Sequence, residues 1–359
     1  MRPWRTQAVV LILTLLSGCG GGSTTVREIL GLATLSGTAA GGAAIVGTVQ
    51  IYDSSVPQKT KGSLIDADGK YSVDVSGMTS PFILKANGTV GNSTVTYYSA
   101  AVLADVGQTV NVTPFTDIII SNISAQMAQN CFDDPKKPCI NFKEKLTPDN
   151  LLKAQSDLQA QLLPVLRNLG LSESIDLLRS SFSPDHSGMD ALLDLVKVEV
   201  DLVTNTAKFK NGVNGAEIGR VDPKSDIGRR EPVDSTKITG INKETVSDLQ
   251  AIQYALEQIA QLYKNSLPSP QQLKNSDLFD VENFMNDGMR FDQFAMGIST
   301  QAKMIGIKFK NIHVELDPND KTKARVFFSM YDKLEKYHED ADFMVYKQNN
   351  KWQTKGLSL

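Results

Sequence analysis

Between residues 33 and 116 the chain is cut into short apolar-alternating segments by glycine, proline, asparagine and aspartate, too closely spaced for helices and suited to strands. Segments 33–38, 47–52, 62–66, 71–75, 82–87, 94–100 and 109–113 are the predicted strands. In one of them Tyr71, Val73 and Val75 alternate with Ser72 and Asp74, which places the apolar side chains on one face. The clearest turn is Asp66-Ala67-Asp68-Gly69-Lys70-Tyr71, where Asp68-Gly69 supplies the positive φ of a tight hairpin. Its aspartates also suit calcium, but the regular ligand spacing and closing glutamate of a helix-flanked loop are missing. An all-β sandwich is therefore expected at the N-terminal end.

Past residue 116 the period changes. Residues 118–128 are apolar enough for a buried helix. Thr147-Pro148-Asp149 reads as a helix start: a capping threonine, proline in the first turn and an acid near the positive dipole end. Leucines then recur at helical spacing up to Gly170, with Pro164 expected to kink the run. Residues 172–181 and 189–195 are read as further helical pieces. Val196, Val198, Val200 and Leu202 then alternate with charged residues as a half-buried strand, and 207–210 returns from it. Residues 212–237, rich in Gly, Pro, Asp and Arg, are read as an irregular linker. Val246, Leu249, Ile252, Leu256 and Ile259 give 242–264 one apolar helical side. Short helices around 278–285 and 290–304 and strands at 307–316, 324–331, 341–346 and 352–355 complete the pattern.

The expected fold class is multidomain: an N-terminal all-β sandwich, then an α+β region with a helical segment and a C-terminal antiparallel sheet. The expected boundaries are 1–18 signal peptide, 19–32 lipidated cysteine and tether, 33–116 sandwich, 117–236 helical and hairpin middle region, and 237–359 α+β domain.

Leu35-Ser36-Gly37-Thr38-Ala39-Ala40-Gly41-Gly42-Ala43, Val49-Gln50-Ile51-Tyr52-Asp53 and Asp66-Ala67-Asp68-Gly69-Lys70-Tyr71-Ser72-Val73 together resemble the carboxypeptidase regulatory-like domain, a transthyretin-like sandwich. That resemblance implies an accessory module that spaces or presents others and has no catalytic centre. Phe343-Met344-Val345-Tyr346-Lys347 and Lys351-Trp352-Gln353-Thr354-Lys355-Gly356 resemble the closing hairpin of the nuclear transport factor two fold, which implies a cone-like sheet under a long helix.

The extreme N-terminus speaks to location. Arg2 and Arg5 precede an apolar stretch from Ala8 to Leu16, too short for the roughly 20 helical residues that span a bilayer. Leu16-Ser17-Gly18-Cys19 closes it, followed by Gly20-Gly21-Gly22-Ser23. This resembles a bacterial lipoprotein processing site, which implies acyl chains such as palmitate on Cys19; several such chains anchor stably. Gly20 stands where such families carry the aspartate that retains them in the inner membrane, so the outer membrane is expected, with the face it occupies left open. The partners implied are the membrane, through Cys19, and an envelope protein or small ligand. The net charge of −3, more negative without Arg2 and Arg5, provides no basic footprint for nucleic acid.

Cys131 and Cys139 form an isolated even pair in a chain destined for an oxidising compartment and are expected to join as a local disulfide. No motif assigns a catalytic residue, cofactor or metal. His186, His313 and His338 are far apart and read as surface or hydrogen-bonded residues. Asp185-His186-Ser187-Gly188-Met189-Asp190 suits a turn capping the next helix better than a metal loop. The expected role is thus a non-catalytic envelope lipoprotein; the alternative is an enzyme or lipid carrier with a C-terminal cavity, lined by Phe279, Phe284, Phe291 and their neighbours or by a pair such as Asp340 with His338 or Asp292 with His313.

Overall fold

The computed structural model describes residues 33–134, 139, 141–225, 231–286 and 288–356. Cys19 and the segment around it lie outside the described residues. The chain has a mixed α+β fold of several sheets, with antiparallel sheets at the N-terminal and C-terminal ends and most of the helix between them.

Six strands come first: β1 (Thr34–Thr38), β2 (Val46–Tyr52), β3 (Thr60–Leu64), β4 (Lys70–Asp74), β5 (Phe82–Val90) and β6 (Ser93–Ala101). They form a four-stranded sheet of order β3-β2-β5-β6 and a two-stranded sheet, β1-β4. Period-two alternation turns Val49, Ile51, Leu84 and Ala86 of one sheet and Leu35, Tyr71 and Val73 of the other into a single apolar core. The Asp66–Lys70 turn forms as predicted, with Gly69 at φ 74 and Asp66 Oδ1 accepting from the backbone of Asp68 and Lys70. The strands it joins, however, pair in different sheets, so it is a crossover between sheets and not a hairpin.

Residues 109–113 form no strand. They run parallel to β1 as isolated bridges, Ser36 with Thr109 and Ala39 with Val112, held by Val110 N–H to Ser36 O (2.8 Å) and Val112 N–H to Thr38 O (2.9 Å).

Thr113 caps α1 (Pro114–Ser124), accepting from the Thr116 N–H, with Pro114 in the first turn. The helix therefore starts earlier than predicted, and α2 (Ala128–Phe132) is separate from it. After the short α3 (Phe142–Lys145), α4 (Pro148–Leu169) has the predicted ends: Thr147 accepts from Asn150 N–H, and Gly170 closes the helix at φ 68. Pro164 lies within α4, which continues past it to Leu169. Residues 172–181 are turns and not a helix, because the Asp176 side chain accepts from the backbone of Leu178 and Arg179.

α5 (Gly188–Leu195) runs directly into β7 (Val196–Asp201), which pairs with β8 (Thr206–Asn211). A third strand, β9 (Glu217–Val221), lies in the stretch read as irregular. The predicted long helix is α6 (Lys243–Leu262), followed by α7 (Pro270–Lys274). Residues 278–284 form no helix, and the two-residue strands β10 (Met285–Asn286) and β11 (Met289–Arg290) lead into α8 (Phe291–Ile298). The C-terminal sheet is β12 (Lys308–Asp317), β13 (Asp320–Tyr331), β14 (Tyr337–Gln348) and β15 (Lys351–Thr354), paired in that order.

One apolar cluster runs from Tyr98 of β6 through Phe115, Leu162 and Phe209 to Ile252 and Val326, so the middle of the chain is packed to both ends. Among the described residues no helix is long and apolar enough to cross a membrane.

Candidate functional site

A buried group of ionisable side chains lies at the start of α5. Asp190 and Asp194 are four residues apart and share one face of that helix, and His186 precedes Asp190 by the same interval. His186 sits in the left-handed region (φ 58), uncommon for a residue with a Cβ, and this reversal folds the turn back over the helix. Its backbone N–H donates to Asp190 Oδ2 at 2.8 Å. Its Nδ1 lies 2.7 Å from Asp194 Oδ2 and 3.9 Å from Asp190 Oδ2. All three side chains are 1–2% exposed.

Burial of two carboxylates and an imidazole sets the electrostatics. Burial alone would push His186 down, but the Asp194 carboxylate, by its charge and hydrogen bond, and Asp190 outweigh it and raise the imidazole above its ordinary value. Burial, reinforced by the charge of Asp194, raises Asp190 to about 8 despite His186. Three atoms of the group have no hydrogen-bond partner: His186 Nε2, Asp190 Oδ1 and Asp194 Oδ1. Buried polar atoms are rarely left so.

The group abuts a seam where three parts of the chain meet. Gly42, at φ 88 in the loop between β1 and β2, is so close that a Cβ there would lie 2.8 Å from Asp194 Oδ1 and 2.9 Å from Lys197 Nζ. On its other side the Gly42 carbonyl lies 3.1 Å from His313 Nδ1 of β12. His313 Nε2 is 3.5 Å from Glu315 Oε1, and this hydrogen bond holds the Glu315 carboxyl below its usual range. A cavity of about 310 Å³ opens at the seam, lined by Asp194, Lys197, Lys210, His313 and Glu315 among others.

The pairs considered from sequence are not brought together. Asp340 accepts from Ser329 Oγ at 2.7 Å, and His338 instead lies 3.5 Å from Asp332. Both belong to β14, in the stretch between the strands expected at 324–331 and 341–346. Asp292 is exposed on α8, while His313 is buried against the Gly42 carbonyl. His186, expected at the surface or in a hydrogen bond, is buried and hydrogen-bonded. Phe279, Phe284, Phe291 and Phe294 stack with ring centroids 4.8–6.0 Å apart as a filled core, and Met285, Met289 and Met296 of the same cluster are exposed. Cys131 and Cys139 are joined, with Cα atoms 5.0 Å apart.

A recess of about 820 Å³ lies at the edge of the N-terminal sheets. Val75, Met78, Phe82, Val102, Leu103 and Leu146 line much of it, and no titratable side chain does.

No protein-family model matches the chain, and no curated protein does. Among solved structures, a crystal structure of a point mutant of the helical cell shape determining protein Pgp2 from Campylobacter jejuni is 15% identical, covering 43% of this chain and 66% of that one at a TM-score of 0.24. So low a score carries neither fold nor function across.

The His186, Asp190, Asp194 spacing was visible in the sequence. The sequence reading of residues 185–190 as a turn capping the next helix rather than a metal loop takes in His186 and Asp190 but leaves out Asp194, one helical turn further on.

Proposed function

We propose that the protein is a non-catalytic, lipid-anchored lipoprotein of the outer membrane, in which a transthyretin-like sandwich next to the tether spaces a multidomain α+β body that binds an envelope partner or small ligand. The observation that carries this reading is the tetrad Leu16-Ser17-Gly18-Cys19 behind an apolar run too short to span a bilayer. Two features of the folded chain support it. The two N-terminal sheets share one core, as a sandwich does. The recess of about 820 Å³ is mostly apolar, which suits binding by shape and burial. The filled phenylalanine core also speaks against a carrier built on that cluster.

The test is metabolic labelling with radioactive palmitate, comparing the intact chain and Cys19→Ala in separated membranes. Label on the intact chain alone, in the outer-membrane fraction, is the expected result. Equal label on both, or none on either, overturns the reading.

A further inference from the structure

We propose that His186, Asp190 and Asp194 form a binding site for a divalent cation, best suited to zinc, with one imidazole nitrogen and two carboxylate oxygens as protein ligands and a fourth position left for water. The inference is independent of the lipid anchor.

Geometry comes first. Zinc bonds to imidazole nitrogen and carboxylate oxygen of about 2.0–2.2 Å place tetrahedral neighbours about 3.3 Å from one another. His186 Nδ1 lies 2.7 Å from one carboxylate and 3.9 Å from the other, so the two distances bracket that value. One ligand atom from each residue can be chosen so that all three lie within 4.8 Å of one another.

Charge and hydrogen bonding agree. Two carboxyl groups are buried beside a single imidazole, and once ligation removes the Asp190 proton one dication balances both. Among the neighbouring charges, the Lys197 ammonium opposes protonation of His186, and Asp185 adds to the negative side. The unpartnered Asp190 Oδ1 and Asp194 Oδ1 belong to side chains almost wholly buried, so no bulk solvent compensates them. The mixed nitrogen and oxygen set matches zinc better than calcium, which takes six to eight oxygens, or magnesium, which keeps an octahedron of oxygen and water. A route in exists because Asp194 also lines the cavity of about 310 Å³ at the Gly42 seam.

The experiment uses the full chain in detergent, without a histidine tag, stripped with chelator and titrated with zinc chloride by calorimetry. X-ray absorption at the zinc edge is then measured on the loaded sample. The expected result is one equivalent bound, a rise in Tm on loading, and a nitrogen and oxygen shell containing a single imidazole. Asp190→Asn and Asp194→Asn should weaken zinc binding by more than the roughly 10–100-fold typical of supporting residues, and His338→Asn should leave it unchanged. No zinc bound, a shell with sulfur or several imidazoles, or folded Asp190→Asn and Asp194→Asn chains with undiminished affinity would each overturn the site. If both aspartate variants fail to fold, the absorption spectrum of the unsubstituted chain decides.

Discussion

Two of the places where the N-terminal strands meet the rest of the molecule differ in how they are built. At the first, β6 lies against α1, and Ile83, Tyr98 and Ala100 belong to one apolar cluster with Phe115 and Ile119; Asp117 is buried beside them, and its Oδ1 and the Tyr98 hydroxyl lack hydrogen-bond partners. At the second, the Gly42 loop is held between the His186 group and His313, with unpartnered polar atoms and a cavity. A lone buried carboxyl escapes its desolvation cost by keeping its proton. In the His186 group Asp190 is raised in the same way, while Asp194 is held against the imidazole, so this site combines a raised carboxyl with a buried His–Asp contact.

The difference can be tested from its strongest consequence downward. Burial raises the Asp117 carboxyl to about 8, with a hydrogen bond from the Tyr98 backbone working weakly the other way. The folded chain then holds a proton that the unfolded chain releases, so this contribution is complete below about pH 4 and is lost as pH rises toward 8. The slope is up to roughly 1.4 kcal/mol per pH unit, on the order of 5 kcal/mol in all. Urea unfolding across that range should show it, and Asp117→Asn should flatten it; equal slopes in the two proteins would break the contrast.

Next, Phe115→Ala opens a cavity in the packed junction and should cost about 3–5 kcal/mol in the same assay. A loss below about 1 kcal/mol would mean the junction is not close-packed. At the seam, Gly42→Ala puts a Cβ against Asp194 and Lys197 at a positive φ and should cost about 1–3 kcal/mol; an unchanged Tm would show that the seam is loose. Smallest in stability is Leu103→Ser, in the apolar recess and 52% exposed. It should stay within about 0.5 kcal/mol of the parent yet lower the fluorescence of a bound hydrophobic dye.

Much of the fold was legible where local chemistry and packing agree. Thr147-Pro148-Asp149 and Gly170 bounded α4 correctly because the cap and the left-handed closing residue act within a few residues. Residues 172–181 were misread because Asp176 diverts the backbone into turns, a local competition that apolar spacing hides. The strand β9 was missed because Ile218 and Val221 do not alternate at period two; a register shift against β8 brings both inward. His338 and Asp340 looked like a polar turn, but β14 extends to Tyr337 with much of that end exposed. The candidate site was half legible: its spacing of four was present, but the left-handed backbone of His186 is not written in that spacing, and the approach of Gly42 comes from residues far away in the sequence.

The parallel run of β1 beside residues 109–112 bears on how the molecule carries load. Force applied at Ala33, and resisted through the chain that continues from Thr113, pulls these two segments in opposite directions along their length. The bonds Gly107 N–H to Thr34 O, Val110 N–H to Ser36 O and Val112 N–H to Thr38 O are then sheared together and not opened one after another. Tyr71 Oη adds a crosswise bond to Val110 O. The four-stranded sheet lies off this line of force, so tension from the N-terminal side would reach the helical body without first unravelling it.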